Sequence, residues 1–145
     1  MDNNIRNIIL EKVVQLFLKI MLIYSVYLLL RGHNNPGGGF IAGIIASTGF
    51  IFYAMIYGTE KIKKLMFFSS RQWIGFGLMF VFISAIIPLF FTKEILTGVW
   101  INVEHSITGA IHLGTPLLFD TGVYFSVTGV ILTIAISIME VLKWN

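Results

Sequence analysis

Apolar residues in this chain fall into four long blocks, and every charged residue except Lys19 lies outside them. The blocks cover residues 13–30 (VVQLFLKIMLIYSVYLLL), 40–57 (FIAGIIASTGFIFYAMIY), 73–91 (WIGFGLMFVFISAIIPLFF) and 123–139 (VYFSVTGVILTIAISIM). Eighteen residues of helix measure about 27 Å, close to the ~30 Å hydrocarbon thickness of a bilayer. Lipid offers no hydrogen bonds to an open backbone, and four strands cannot close a barrel, so each block predicts a transmembrane helix. The expected fold is therefore an all-α integral membrane protein, a single transmembrane domain over residues 1–145. The long connection at 92–122 contains HSITGAIHLGTPLLFD, too polar to span and too apolar for a free loop. A re-entrant or interfacial segment buried against protein is expected there, between helices three and four.

Composition strengthens the membrane reading. Hydrophobic residues make up 57% of the chain and charged ones 12%, against about a quarter charged in soluble domains. The absence of cysteine removes disulfides, thiolate metal sites and cysteine-ligated iron–sulfur clusters. The N-terminal apolar run is too long for a signal peptide and is expected to stay as an anchor. Tryptophans and tyrosines such as Trp73, Trp100, Tyr57 and Tyr124 lie near block ends, as an aromatic belt requires.

Charge sets an expected orientation. Arg6, Lys12, Lys61, Lys63, Lys64, Arg71 and Lys143 fall on one side of a four-span topology, and Arg31 and Lys93 on the other. The positive-inside rule then puts both termini and the second loop in the cytoplasm. The net charge of +3 reflects this clustering, and no nucleic-acid partner is expected.

Between the first two blocks stands RGHNNPGGGF, residues 31–40. Residues 37–42 fit G-x-G-x-x-A by letter, but the dinucleotide fingerprint needs a preceding strand, and no G-K-[ST] follows for a Walker loop. A tight helical hairpin accounts for the stretch better. Asn34 or Asn35 is expected to cap the second span, with Pro36 in its first turn. Gly37, Gly38 and Gly39 permit close backbone approach or unusual dihedrals, and Gly39, Gly43 and Ser47 continue a small-xxx-small stripe into the helix.

GHNNPGGGF, with GTPLLFDTGVY at 114–124, resembles the two signature motifs of the B-type (MnhB) subunits of Mrp-type multisubunit Na⁺/H⁺ antiporters. Length, four spans and both motif positions agree, so the resemblance covers essentially the whole chain. It implies an integral, non-catalytic subunit of a complex that exchanges Na⁺ for H⁺ across a prokaryotic cell membrane. Its implied partners are other antiporter subunits, including large ones related to those of respiratory complex I, together with the lipid bilayer. It implies no cofactor. Related subunits occur in membrane-bound hydrogenases, so a membrane-arm subunit of an ion-pumping redox complex is the alternative. The motif and packing positions are Gly32, His33, Asn34, Pro36, Gly37, Gly38, Gly39, Phe40, Gly43, Pro116, Asp120 and Gly122. Pro36 and Phe40 are expected to fix how the second span packs on antiporter subunits.

Few residues suit an ion path. Proton relays in membranes use buried Asp, Glu, Lys or His, and Lys19, one turn beyond Gln15, is the candidate. Its rival reading is snorkelling to the cytoplasmic surface. Glu11, Glu60, Glu94, Glu104, Asp120 and Glu140 are expected in loops or near helix ends, so the chain reads as a subunit rather than a self-contained exchanger. Asp120 and Thr121 are expected to cap the fourth span. His33 is a candidate pH sensor. Glu104, His105 and His112 are better read as interfacial polar groups than as a metal site.

Overall fold

The computed structural model describes residues 3–32, 38–91, 94–105 and 109–142. Five α-helices run in the order α1 (Asn3–Arg31), α2 (Gly39–Tyr57), α3 (Thr59–Leu65), α4 (Ser70–Ile86) and α5 (Thr115–Val141). A 3₁₀ turn (Ile87–Phe90) and two strands, β1 (Trp100–His105) and β2 (Gly109–Gly114), separate α4 from α5. Four helical stretches are long and apolar enough to cross a membrane: Ile8–Arg31, Gly39–Tyr57, Ser70–Phe90 and Thr115–Val141.

The helices follow the apolar blocks, but their ends are set by local chemistry that hydropathy does not report. α4 begins at a capping box. Ser69 N–H donates to Gln72 Oε1 at 2.9 Å, and Gln72 N–H returns a bond to Ser69 Oγ at 3.4 Å. Pro88 cannot donate to the α-helical ladder, and the chain tightens to 3₁₀ across it. α5 starts eight residues ahead of the expected span, at Thr115 with Pro116 in its first turn, where a missing N–H is harmless.

The connection before α5 forms a hairpin. β1 and β2 pair antiparallel from Trp100↔Gly114 to His105↔Gly109, with His112 opposite Asn102. The re-entrant or interfacial stretch expected between helices three and four is thus a two-stranded ribbon followed by the first turns of α5.

The spanning helices pack in the order α1–α2–α5–α4, with α1 and α5 touching at only a few residues. Hydrophobic driving force between helices vanishes in lipid, so small residues and hydrogen bonds must hold such a row together. A Cβ on Gly122 would lie 2.7 Å from the Gly77 carbonyl oxygen and the Val81 nitrogen, and one on Gly129 2.7 Å from the Ser70 carbonyl oxygen. These two residues, seven apart on α5, therefore form the bare face against α4. Polar links add to this contact: Thr133 Oγ1 lies 2.9 Å from Ser70 Oγ.

Two apolar clusters occupy the two ends. One gathers Leu18, Phe50, Ala54, Ile62, Met66, Leu132 and Ile136, with Trp73 packed against it. The other gathers Leu28, Leu29, Ala42, Ala46 and Tyr124. α3 closes the first. It buries Thr59 and Ile62 and is tethered to the last turns of α5 by Lys63, which pairs with both Glu60 (3.2 Å) and Glu140.

Candidate functional site

Both unusual sequence motifs meet at the other end of the row. α2 starts at Gly39, and its cap position is Gly38, with φ +92° and no side-chain cap bond. That conformation is open to glycine and strained for other residues. The expected cap by Asn34 or Asn35, with Pro36 in the first turn, is therefore corrected. Helix geometry begins at Gly39, the last of the three glycines, because Gly38 turns the chain and its N–H donates back to the Leu28 carbonyl at 3.3 Å. Gly32 N–H reaches the same carbonyl at 3.0 Å. His33, Asn34, Asn35, Pro36 and Gly37 lie outside the described residues.

The glycines that follow are bare because α5 lies against them. A Cβ on Gly39 would sit on the Asp120 carbonyl oxygen, and one on Gly43 would lie 3.0 Å from the Tyr124 carbonyl oxygen. Thr128 Oγ1, 3.3 Å from the Gly43 carbonyl oxygen, continues the contact. Tyr124 then reaches the next helix, its hydroxyl 3.3 Å from Ser25 Oγ on α1. The first motif is thus clasped onto the second inside one subunit.

Asp120 does not cap its own helix. It sits in the second turn of α5, whose cap position is Gly114, while Thr121 Oγ1 donates to the Leu117 carbonyl at 2.8 Å. Polar residues in the first turns hid the true helix start, and so the expected cap by Asp120 and Thr121 is corrected. The carboxylate faces the start of α2 instead, with Oδ2 3.4 Å from where a Gly38 Cβ would stand. The first N–H groups of a helix have no partner within it, and a nearby anion is favourable there. Asp120 thus stands where the asparagines were expected to act, but from another helix.

Beside the clasp lies a cavity of about 360 Å³ whose walls include Gly32, Ser84, Thr115, Pro116 and Asp120. Leu96 and Gly98 close one side. Leu96 has φ +65°, unusual for a residue with a Cβ. Ser84 is buried and donates to the Val81 carbonyl at 2.7 Å, and Thr115 Oγ1 accepts from Val99 N–H at 3.1 Å. Sequence reasoning found Gly32, Pro116 and Asp120 but missed Ser84, Leu96 and Gly98. Nothing in their spacing marks them, since they come from segments joined only by folding.

Phe40 points away from the clasp and is 59% exposed, and Gly122 serves the α4 contact described above. Arg31, the cation on the unexpected side, stacks its guanidinium 5.9 Å over the Tyr27 ring. Lys19 lies on the far side of the subunit, exposed in a groove shared with Gln15, Tyr53 and Leu65. Gln15 Nε2 donates to the Tyr57 hydroxyl at 2.6 Å, and Tyr57 is the last residue of α2. One turn further along α1, Lys19 is about 6 Å inside that level, within reach of its own stem. Among the described residues, no group of three His, Cys, Asp or Glu side chains could hold a metal ion.

The chain matches the family described as a domain related to the MnhB subunit of Na⁺/H⁺ antiporter over residues 9–133. Proteins named as antiporter subunit mnhB2 from Staphylococcus aureus strains Newman and JH1 are 37% identical over 132 residues, covering 91% of this chain and 94% of theirs. A chain in the structure of the Mrp complex from Dietzia sp. DQ12-45-1b superposes with a TM-score of 0.75 at 26% identity. That match takes in 91% of this chain but only 14% of the Dietzia chain, so the fold forms one segment of a much longer polypeptide there. With both motifs, the second and third spanning helices and most of the first and fourth inside the matched region, the chain belongs to the MnhB-related family of Na⁺/H⁺ antiporter subunits.

Proposed function

We propose that the chain is a non-catalytic membrane subunit of a multisubunit antiporter that exchanges Na⁺ for H⁺ across a prokaryotic cell membrane. The observation that carries this reading is the family match over residues 9–133, joined to the clasp those residues build. The clasp ties α1, α2 and α5 together and leaves Phe40 and long apolar faces of α1 and α4 outward, for lipid and neighbouring subunits. The match to a chain of the Mrp complex supports other antiporter subunits as its partners. The relatives described above are named for antiport, and this favours the antiporter over a redox-linked complex. Purifying the tagged protein from its own membranes in mild detergent tests the proposal. Co-purification of large antiporter-like subunits is expected, whereas hydrogenase-type partners or a stable lone subunit would refute it.

We propose Lys19 as an ion-path residue, a reading supported by its exposed position in the groove with Gln15 and Tyr53. Lys19→Leu is expected to lower the antiport rate several-fold with complex yield unchanged. Wild-type transport in membrane vesicles would take Lys19 out of the path.

A further inference from the structure

α1 stands at the end of the row with α2 as its main neighbour, so one side of it faces out of the subunit. Val13, Leu16, Ile20, Ile23, Tyr27 and Leu30 are exposed on that side. Their spacing alternates between three and four residues. Seven residues per two turns is the repeat by which one helix packs along another at a crossing angle near +20°. From Val13 to Leu30 the stripe runs about 26 Å, close to the ~30 Å thickness of the hydrocarbon core.

An apolar stripe alone does not name its neighbour; the cations beside it do. Lys12 and Lys19 are exposed and seven residues apart, so both border the stripe on the same edge. Those are the positions that carry ion pairs between coiled helices. Among the described residues neither lysine has an ion-pair partner. Lys19 also lines the groove of about 430 Å³ between α1 and α2, beside Gln15, Leu22, Phe50 and Tyr53, and is the one charged residue there among those described. Lipid covers an apolar stripe whatever its spacing, but a phospholipid phosphate stands outside the hydrocarbon core. Lys19 leaves α1 about 6 Å inside the level of Tyr57, the last residue of α2. A carboxylate on an adjoining helix meets it at that depth, and ionisable groups within membranes pair with one another in this way.

We propose that this side of α1 docks one transmembrane helix of a neighbouring subunit, apolar along the stripe and carrying an aspartate or glutamate that pairs with Lys19. The proposal rests on the subunit reading above, but not on Lys19 taking part in transport. The test uses the intact complex in its own membranes, with photo-reactive benzoylphenylalanine in place of Ile23, which is 72% exposed. A cross-link to a membrane-spanning segment of another subunit is expected. Peptide mapping should find a carboxylate within about two turns of the linked residue. Lys19→Arg should keep the yield of that product, and Lys19→Gln should cut it several-fold. Lys19→Glu, combined with lysine in place of the mapped carboxylate, should restore it. A complex that co-purifies but gives adducts to lipid alone overturns the docking face and leaves the subunit reading standing. A mapped span without a carboxylate, or an undiminished yield from Lys19→Gln, overturns the pairing; a lysine that only snorkels would give that second result.

Discussion

Glycine carries most of the specificity in this fold, and it does so in two different ways. Gly38 is needed for its own backbone, at φ +92°, whereas Gly39 and Gly122 are needed by their neighbours' backbones. Gly75 supplies a control, because a Cβ there would meet nothing within 4 Å. Gly39→Ala and Gly122→Ala should each cost about 1–3 kcal/mol, the usual penalty for overpacking. Gly75→Ala should be neutral or gain up to about 1 kcal/mol from helix propensity. Thermal unfolding of the detergent-solubilised protein distinguishes these outcomes, and equal effects at all three positions would mean the close approach is not structural. The sequence marked Gly39 and Gly122 as important because they stand in long motifs. It could not say what they touch, and Gly77 and Gly129, equally bare for the same reason, lie outside the marked positions.

Helices and strands were legible to different degrees. The middle of every spanning helix could be read from hydropathy, since a run that lipid must dissolve tolerates few polar side chains. The ends could not. α5 opens on Thr115, Pro116 and Asp120, which average out as loop in a hydropathy window, and Gly38 displaces the start of α2 past the asparagines. Two local signals do stand in the sequence outside the hydropathy pattern: Ser69 and Gln72 at capping-box spacing, and the alternation in Ile101, Asn102, Val103 and Glu104 on β1. α3 adds a contact no periodicity reports, the tether from Lys63 to Glu140. The bonds to Glu140 and then Glu60 hold the Lys63 ammonium above the ordinary lysine value of 10.5. A raised lysine contributes its full stability below its ordinary value and loses it as pH climbs through the raised one. Proteolysis at the 66–69 turn should therefore stay constant up to that ordinary value and increase above it. Lys63→Met should be open at every pH, at a cost within about 1 kcal/mol for so exposed a pair. A flat profile in the wild type would show that the tether does not restrain α3.

Orientation belongs to the assembled bundle. Four crossings return the chain to the side on which it began, and the basic residues of α3 lie at the same end of the row as Gln15 and Glu140. The positive-inside rule predicts that this end faces the cytoplasm. Since the chain contains no cysteine, single cysteines at Lys64 and Leu96 can be probed without background in intact cells. An impermeant maleimide should label the Leu96 position and spare the Lys64 position until the cells are opened. The reverse pattern would invert the topology. Hydropathy made the four crossings readable, but the order α1–α2–α5–α4 was beyond it, because it rests on which glycines face which backbones.

That order has a bearing on how the protein is made. Ribosomes deliver spans in sequence, and α1 and α2 can pair as soon as both have been inserted. The bare faces of α2 and α4 must both wait for α5, the last span to emerge. Until then two glycine-lined surfaces stand in lipid without a partner, and a chain stopped short of residue 115 joins α4 to the α1–α2 pair only through α3 and the edge contact of Phe50 with Trp73. The final helix therefore decides the fate of everything inserted before it, and quality control of this subunit reduces to whether α5 arrives.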